Sequence, residues 1–442
     1  MHDLRRQALE SGKTVSRKAR SRIASGASSK ANSAVNSPAH SRAASRANSD
    51  DEEYLSDGTA WSTNSIDDIL NGEGAELTPD AWKAELNTRI EQIVDRKRSS
   101  TEGRGDSLRA YAHILMARFS KDEVDRRMSE LLPSILWSIK QETTEQETVK
   151  ALKALAVTII TVDSDDIYDS VADLLRRKIS DSESIEVKVG AIHALSIAAF
   201  FGGASETEME DIMSFLVEIV ESDGLFVNAH DEASVVTAAL EAWGLLATEV
   251  EDMEDATEAA IEAFVDQLES ADAGVQIAAG ENIALLYEKS YSPLEADEEY
   301  EADSEEDGDV SGDKMVKRYT VYRRQDQLLH TLDELAGISG RGISKKDKKS
   351  LHSSFADIRN SVEKPTRGPK YSTALDQDTG RAYGAGRMKV KINRSVEVRI
   401  DKWWKLQRLN ALRRVLQGGF THQYDENEAV SRCLPFSVMK SR

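Results

Sequence analysis

An alanine followed four residues later by a large apolar side chain recurs along the middle of this chain. The pairs are Ala110/Ile114, Ala151/Leu155, Ala191/Leu195, Ala239/Trp243 and Ala279/Ile283, at successive offsets of 41, 40, 48 and 40 residues. A second register keeps step: Ile135-Leu136, Leu174-Leu175, Phe215-Leu216 and Phe264-Val265, at offsets of 39, 41 and 49. A two-helix unit of roughly 40–47 residues is the HEAT/armadillo period. The alanine lets helices approach, and the large residue fills the layer between repeats. The longer third offset maps to an acidic insertion near residues 221–232. The pattern predicts an all-α, HEAT/armadillo-like helical-repeat solenoid over residues 80–291.

The flanks are organised differently. Residues 1–79 are rich in Ser, Ala and Arg, then acidic, and hold too few apolar side chains to offset the entropy of ordering, so a disordered tail is expected. Within it Ser45 and Ser49 each follow an arginine by three residues, and Ser49 precedes Asp50-Asp51-Glu52-Glu53. Both are candidate phosphorylation sites, where an added phosphate would cut the tail's positive charge. Ten acids crowd into Glu295–Asp309, which marks residues 292–316 as an acidic mobile loop. Helical spacing returns in 317–364 and stops at Pro365, Gly368 and Pro369. Residues 388–392 and 396–400 then alternate with period two about Asn393-Arg394-Ser395, the pattern of a short hairpin. The hairpin leads into a helix that Asp401 could cap and Gly418-Gly419 could end. Residues 365–420 thus form a small basic β-hairpin plus helix module, and 421–442 a tail.

Charge follows these divisions. The chain carries −21 in all, distributed as +8 over 1–48, −9 over 49–79, −34 over 80–312 and +14 over 313–442. A net −21 argues against general affinity for nucleic acid, while a local basic end argues for one docking point on a polyanion. The single cysteine, Cys433, cannot form an internal disulfide, which fits a reducing compartment. No apolar run is long enough for a membrane span, and Met1–Lys13 lacks the apolar core of a secretory signal. A cytoplasmic location is expected, with the nucleus as a second.

Catalytic signals are weak. Gly337–Gly342 has the glycine spacing of a P-loop, but Ile343-Ser344 stand where Lys and Ser/Thr are required. Asp376, Asp378 and Gly380 start like a calcium loop, but the glycine falls one place early and no terminal Glu follows. The eight histidines show no paired metal spacing, and His113 and His193 fit structural roles inside repeat helices. No cofactor, metal, small-molecule substrate or enzymatic activity is expected.

The densest basic-aromatic stretch is Val396–Phe420. On an ideal helix Trp404, Leu409, Leu412, Val415 and Leu416 share one apolar side. Trp403 falls opposite, with Gln407, Asn410 and Arg414. The wheel predicts Trp404 as core and Trp403 as exposed, suited to stacking on a base or packing on a partner; cover by the preceding hairpin is an equal reading. Lys345, Lys346, Lys348 and Lys349 form a second basic cluster. Lys389, Lys391, Arg394 and Arg399 add a third on the hairpin, beside Lys402 at the helix start. Such cations can neutralise phosphates and release counterions, or rest on the chain's own acidic repeats; charge alone does not separate the two.

Two motifs resemble the interferon-related developmental regulator family. One is Leu335 followed by Ser344-Lys345-Lys346-Asp347-Lys348, then Phe355 and Asp357. The other is Ile400-Asp401-x-Trp403-x-Lys405, with Val415-Leu416 and Gly419 downstream. The family tryptophan corresponds to Trp403, and the family's N-terminal helical repeats match the region 80–291. The resemblance implies a non-enzymatic regulator associated with translationally inactive ribosomes and with transcriptional co-regulation. Its expected partners are the ribosome, through ribosomal RNA and ribosomal proteins, or nuclear co-regulator proteins held by the solenoid. The long Ser/Arg tail, the acidic insertion and the final CLPFSVMKSR depart from that pattern.

Overall fold

A computed structural model describes residues 81–96, 99–294, 315–337, 345–370 and 388–436. The N-terminal tail with Ser45 and Ser49, most of the acidic insert, and the glycine-rich segments 338–344 and 371–387 lie outside the described residues.

Among the described residues, six helix pairs stack in order. The first helices are α1 (Ala81–Val94), α4 (Met128–Gln141), α6 (Ile167–Asp181), α8 (Glu206–Glu221), α10 (Glu254–Gln267) and α12 (Gln325–Ala336). Their partners are α2 (Thr101–Ala117), α5 (Glu145–Val162), α7 (Ile185–Phe201), α9 (Ala233–Leu246), α11 (Ala273–Lys289) and α13 (Lys345–Glu363). A short α3 (Lys121–Asp125) lies between the first two pairs. Each second helix packs on the next along the whole row from α2 to α13. Starts are set by local chemistry: Ser100, Thr144, Ser184 and Ser205 each accept from an N3 backbone N–H, Ser205 within a capping box with Glu208.

The two sequence registers are the two sides of these layers. Ala151, Leu155, Ala191, Leu195, Ala239, Trp243, Ala279 and Ile283 are all buried in the second helices, as are Ile135, Leu175, Leu216 and Phe264 in the first. Trp243 of α9 meets Phe264 of α10 edge-on between successive pairs, with centroids 4.7 Å apart. The longer third offset reflects a 3₁₀ turn, Leu225–Val227, between α8 and α9, with Asp223, Gly224, Asn228 and Asp231 at positive φ around it. Buried Lys188 fastens that turn, its Nζ donating to the carbonyls of Ile179, Ser180 and Val227 at 2.7–3.1 Å. At the other end of the array buried Glu147 accepts from Arg104, Arg96 and Ser138.

Three expectations change here. The acidic insert is closed at its base: β1 (Tyr291–Pro293) and β2 (Met315–Lys317) pair antiparallel with Tyr291 opposite Lys317, inside the stretch expected as loop. The hairpin forms as read, β3 (Met388–Lys391) on β4 (Glu397–Ile400) with Val390 opposite Val398. It does not stand apart with its helix as a separate module, because the helix lies on the row of second helices. The expected tail after 420 is instead helical to Cys433, as α15 (Phe420–Glu426) and α16 (Glu428–Cys433), with Tyr424, Val430, Cys433 and Leu434 buried.

Candidate functional site

The C-terminal helix α14 (Trp403–Leu416) crosses the second-helix face. It touches α11, α9, α5 and α2, and α15 and α16 continue onto α2 and α5. The strap begins with a cap supplied from far away in sequence. Both carboxylate oxygens of buried Glu288, near the end of α11, accept the first backbone N–H groups of the helix, Trp403 N at 2.8 Å and Trp404 N at 3.2 Å. A negative charge at a helix N-terminus is favourable. Burial nevertheless dominates and pushes the Glu288 carboxyl up to about 7, with the two N–H bonds and Lys402 opposing it and Asp401 adding to it. Asp401, expected as the cap, pairs instead with Lys405 one turn on at 2.7 Å.

The assignment of faces is overturned. Trp403 is only 2 % exposed, and its indole Nε1 donates to Ser361 Oγ on α13 at 2.8 Å. Trp404, expected in the core, is half-buried beside the Lys405 ammonium and the Arg408 guanidinium. Gln407 is buried and donates to Asn282 Oδ1 at 3.3 Å, while Asn282 donates to the Leu240 carbonyl. Gly244 makes room for that pair, since a Cβ there would press on both amides. Asn410 is half-buried, and Arg414 pairs with Glu241 of α9 at 2.7 Å. The wheel failed because it assumes one covered side. Here Leu409, Leu412 and Leu416 are buried as well as Trp403 and Gln407, and every residue of α14 is buried or half-buried.

Several residues of this interface carried no sequence signal. Arg408 donates from Nε to Thr248 Oγ1 at 2.9 Å and from Nη2 to the Thr248 carbonyl at 3.0 Å, pairs with Glu249, and sits 5.0 Å from the rings of both Phe200 and Trp404. Lys153 of α5 donates to the Arg414 carbonyl at 2.7 Å, meeting the negative end of α14. Burial and the Arg414 charge push that ammonium down to about 8. His193, half-buried, is held well below the usual histidine range by desolvation and the nearby Arg414 and Lys153 charges, so its approach to Glu241 is not an ion pair at neutral pH. Gln423 donates to the Leu115 carbonyl and Asn427 to the Ile160 carbonyl, fastening α15 and α16 to the ends of α2 and α5. A Cβ at Gly419 would overlap the Met116 carbonyl, so this glycine permits a close approach of the strap to α2 rather than simply ending the helix.

The remaining candidate cations lie elsewhere. Lys402 is half-buried at the helix start, with Nζ 3.5 Å from the Thr366 carbonyl. Lys348 is half-buried and Lys349 exposed on α13; the side chains of Lys345 and Lys346 are outside the described residues. Lys389, Lys391 and Arg394 are exposed on the hairpin, Lys389 pairing with Glu397 at 2.8 Å. Cys433 is buried, and burial raises its thiol to about 12, the opposite of a reactive thiolate. Among the described residues no group of three or more His, Cys, Asp or Glu is placed to hold a metal ion, and no helix is long and apolar enough to cross a membrane.

A comparison of sequences covers the repeat array. The family model for interferon-related developmental regulators matches residues 46–363. The chain belongs to this family. An uncharacterized protein of Schizosaccharomyces pombe is 25% identical over 396 residues, covering 88% of this chain and 83% of that protein. Interferon-related developmental regulator 1 of Sus scrofa is 22% identical over 395 residues, 86% of this chain and 75% of its own length. The Homo sapiens protein of the same name matches at 22% over 395 residues, with 86% and 74% covered. The chain therefore shares most of its length with these relatives.

Proposed function

We propose that this protein is a non-enzymatic regulator that binds ribosomes through its basic C-terminal part and limits translation by occluding functional sites. The observation that carries the reading is the hairpin. Lys389, Lys391 and Arg394 project from it into solvent, in a region of +14 that follows one of −34. Lys391 and Arg394 have no carboxylate partner among the described residues. Cations so presented suit ribosomal RNA phosphates, and the acidic repeats suit basic ribosomal proteins. Trp403, Gln407 and Arg414 enter as supports of the platform beneath the hairpin, since their side chains are engaged within the chain. The reading as a nuclear scaffold would seat a partner peptide along the second helices, and α14 already lies there.

The test is sucrose-gradient sedimentation of cell extract at several salt concentrations. Lys391→Glu with Arg394→Glu should move the protein from ribosomal to free fractions. Each phosphate contact removed should lower the salt slope of binding by about one. Co-migration that ignores both salt and the double substitution sinks the proposal.

A further inference from the structure

We propose that residues 62–80 of this chain dock in the groove between α4 and α6. The groove, about 480 Å³ in volume, is floored by Pro133, Leu136, Trp137 and Leu174. Trp137 is 43 % exposed, and with Pro133, Leu136 and Leu174 it makes a contiguous apolar patch. It is held in place there. The Arg96 guanidinium stacks on its ring at 3.8 Å and is itself fixed by the Ser134 carbonyl and Ser138 Oγ. The structure therefore presents a rigid aromatic face, the kind of anchor surface that docking segments use.

Charge selects the occupant. Lys140 and Arg177 stand on the rim, and among the described residues neither has a carboxylate partner. Lys178 neutralises Glu142 at 2.6 Å, leaving Asp181 as the opposing rim charge. In a region of −34, cations left over beside an apolar floor call for an acidic segment with apolar side chains. Residues 62–80 hold Asp67, Asp68, Glu73, Glu76 and Asp80 and no Lys or Arg. Ile66, Ile69 and Leu70 recur among those acids at the i, i+3, i+4 spacing that gathers side chains on one side of a helical turn. The family match starts at residue 46 and so includes this segment.

Chain length permits the contact. The segment runs into α1 at Ala81, and α1 packs on α4. Leu70 lies eleven residue steps before Ala81, a reach of up to about 36–40 Å. The helix α1 is roughly 21 Å long, and Arg96, just beyond its end, already touches Trp137. Tethering raises the local concentration of the segment to about the millimolar range, so modest affinity keeps the groove filled.

The experiment uses the full chain with Ile69→Cys and Leu174→Cys and a short bis-maleimide, the native Cys433 being buried. A cross-link within one chain, mapped to positions 69 and 174 by mass spectrometry, is expected. Lys140→Glu with Arg177→Glu should slow it at least tenfold, and adding Asp67→Lys and Asp68→Lys should restore it. Hydrogen exchange of residues 62–80 should quicken in Trp137→Ala without any change in α4, which separates loss of docking from loss of fold. Absence of the cross-link, or a rate indifferent to the charge swap, overturns the proposal. A link between two chains would assign the groove to a second copy instead. Suppression of the link by single-stranded RNA, lost in Trp137→Ala, would assign it to nucleic acid.

Discussion

Replacing Trp403 by alanine tests how the strap is held. The indole is buried at the junction of α11, α13 and α14, and its Nε1–H bonds Ser361 at 2.8 Å. Truncating a buried tryptophan costs about 3–5 kcal/mol through lost transfer energy and the cavity left behind. The lost hydrogen bond adds about 1 kcal/mol, because Ser361 keeps its bond to the Asp357 carbonyl and is not left unpaired. Trp404 is the control. It is half-buried, and its contacts are with Arg408 and Lys405, so Trp404→Ala should cost only about 1–2 kcal/mol. Repeat arrays can unfold in parts, so a single melting temperature is a poor readout. Hydrogen exchange of the α14 amides gives the local opening free energy directly. The two variants should differ by at least about 2 kcal/mol there, the Trp403 variant opening more easily. Equal protection in both, or the reverse order, would refute the burial argument.

Other outcomes follow from single contacts. Glu288 has a folded pKa near 7, above the ordinary carboxylate value, so the folded state keeps its proton longer than the unfolded one. Its contribution is full below about pH 4.5 and is lost as pH rises through 7; Glu288→Gln should flatten the fall in stability between those values, measured by urea titration at stepped pH. Glu281, near 7, and Asp357, near 6, have the same sign and should leave a residual slope. Gly419→Ala should destabilise the strap, because the Met116 carbonyl would have to move, and limited proteolysis should cut between α14 and α15 sooner than in wild type. Leu195→Asp puts a charge between repeat layers, where Leu195 is buried, and should cost more than about 4 kcal/mol; a variant that denatures like wild type would mean that the repeat register is wrong.

The array was legible because repeats force one spacing on two kinds of side chain. Ala191 and Leu195 occupy the positions that Ala151 and Leu155 occupy one unit earlier, and all four are buried. The hairpin was legible because Val390 and Val398 alternate with charged neighbours. The position of α14 was not. Its cap, Glu288, lies 115 residues away from Trp403, and its acceptor Ser361 lies 42 away, so no window of local sequence contains the contact. Charge in the C-terminal part pointed outward and inward equally well, and Arg414 with Glu241 and Arg408 with Glu249 turn out to face inward. Lys391 and Arg394 on the hairpin are exposed, while the turn between its strands is tied to Asp425 through Asn393.

The strap also bears on the order in which the protein can be made. A plain repeat array contains local contacts alone and can grow unit by unit. Here Gln423 must find Leu115 across 308 residues. Closing that loop rather than one of about 40 residues adds only roughly 2 kcal/mol of chain entropy, so the thermodynamic burden is small. The kinetic one is larger. At about 5–20 residues per second, roughly 15–60 s pass between synthesis of Leu115 and synthesis of Gln423. During that interval the repeats can stack, but the face that α14 will cover lies open, and a chaperone or another nascent chain can reach it first.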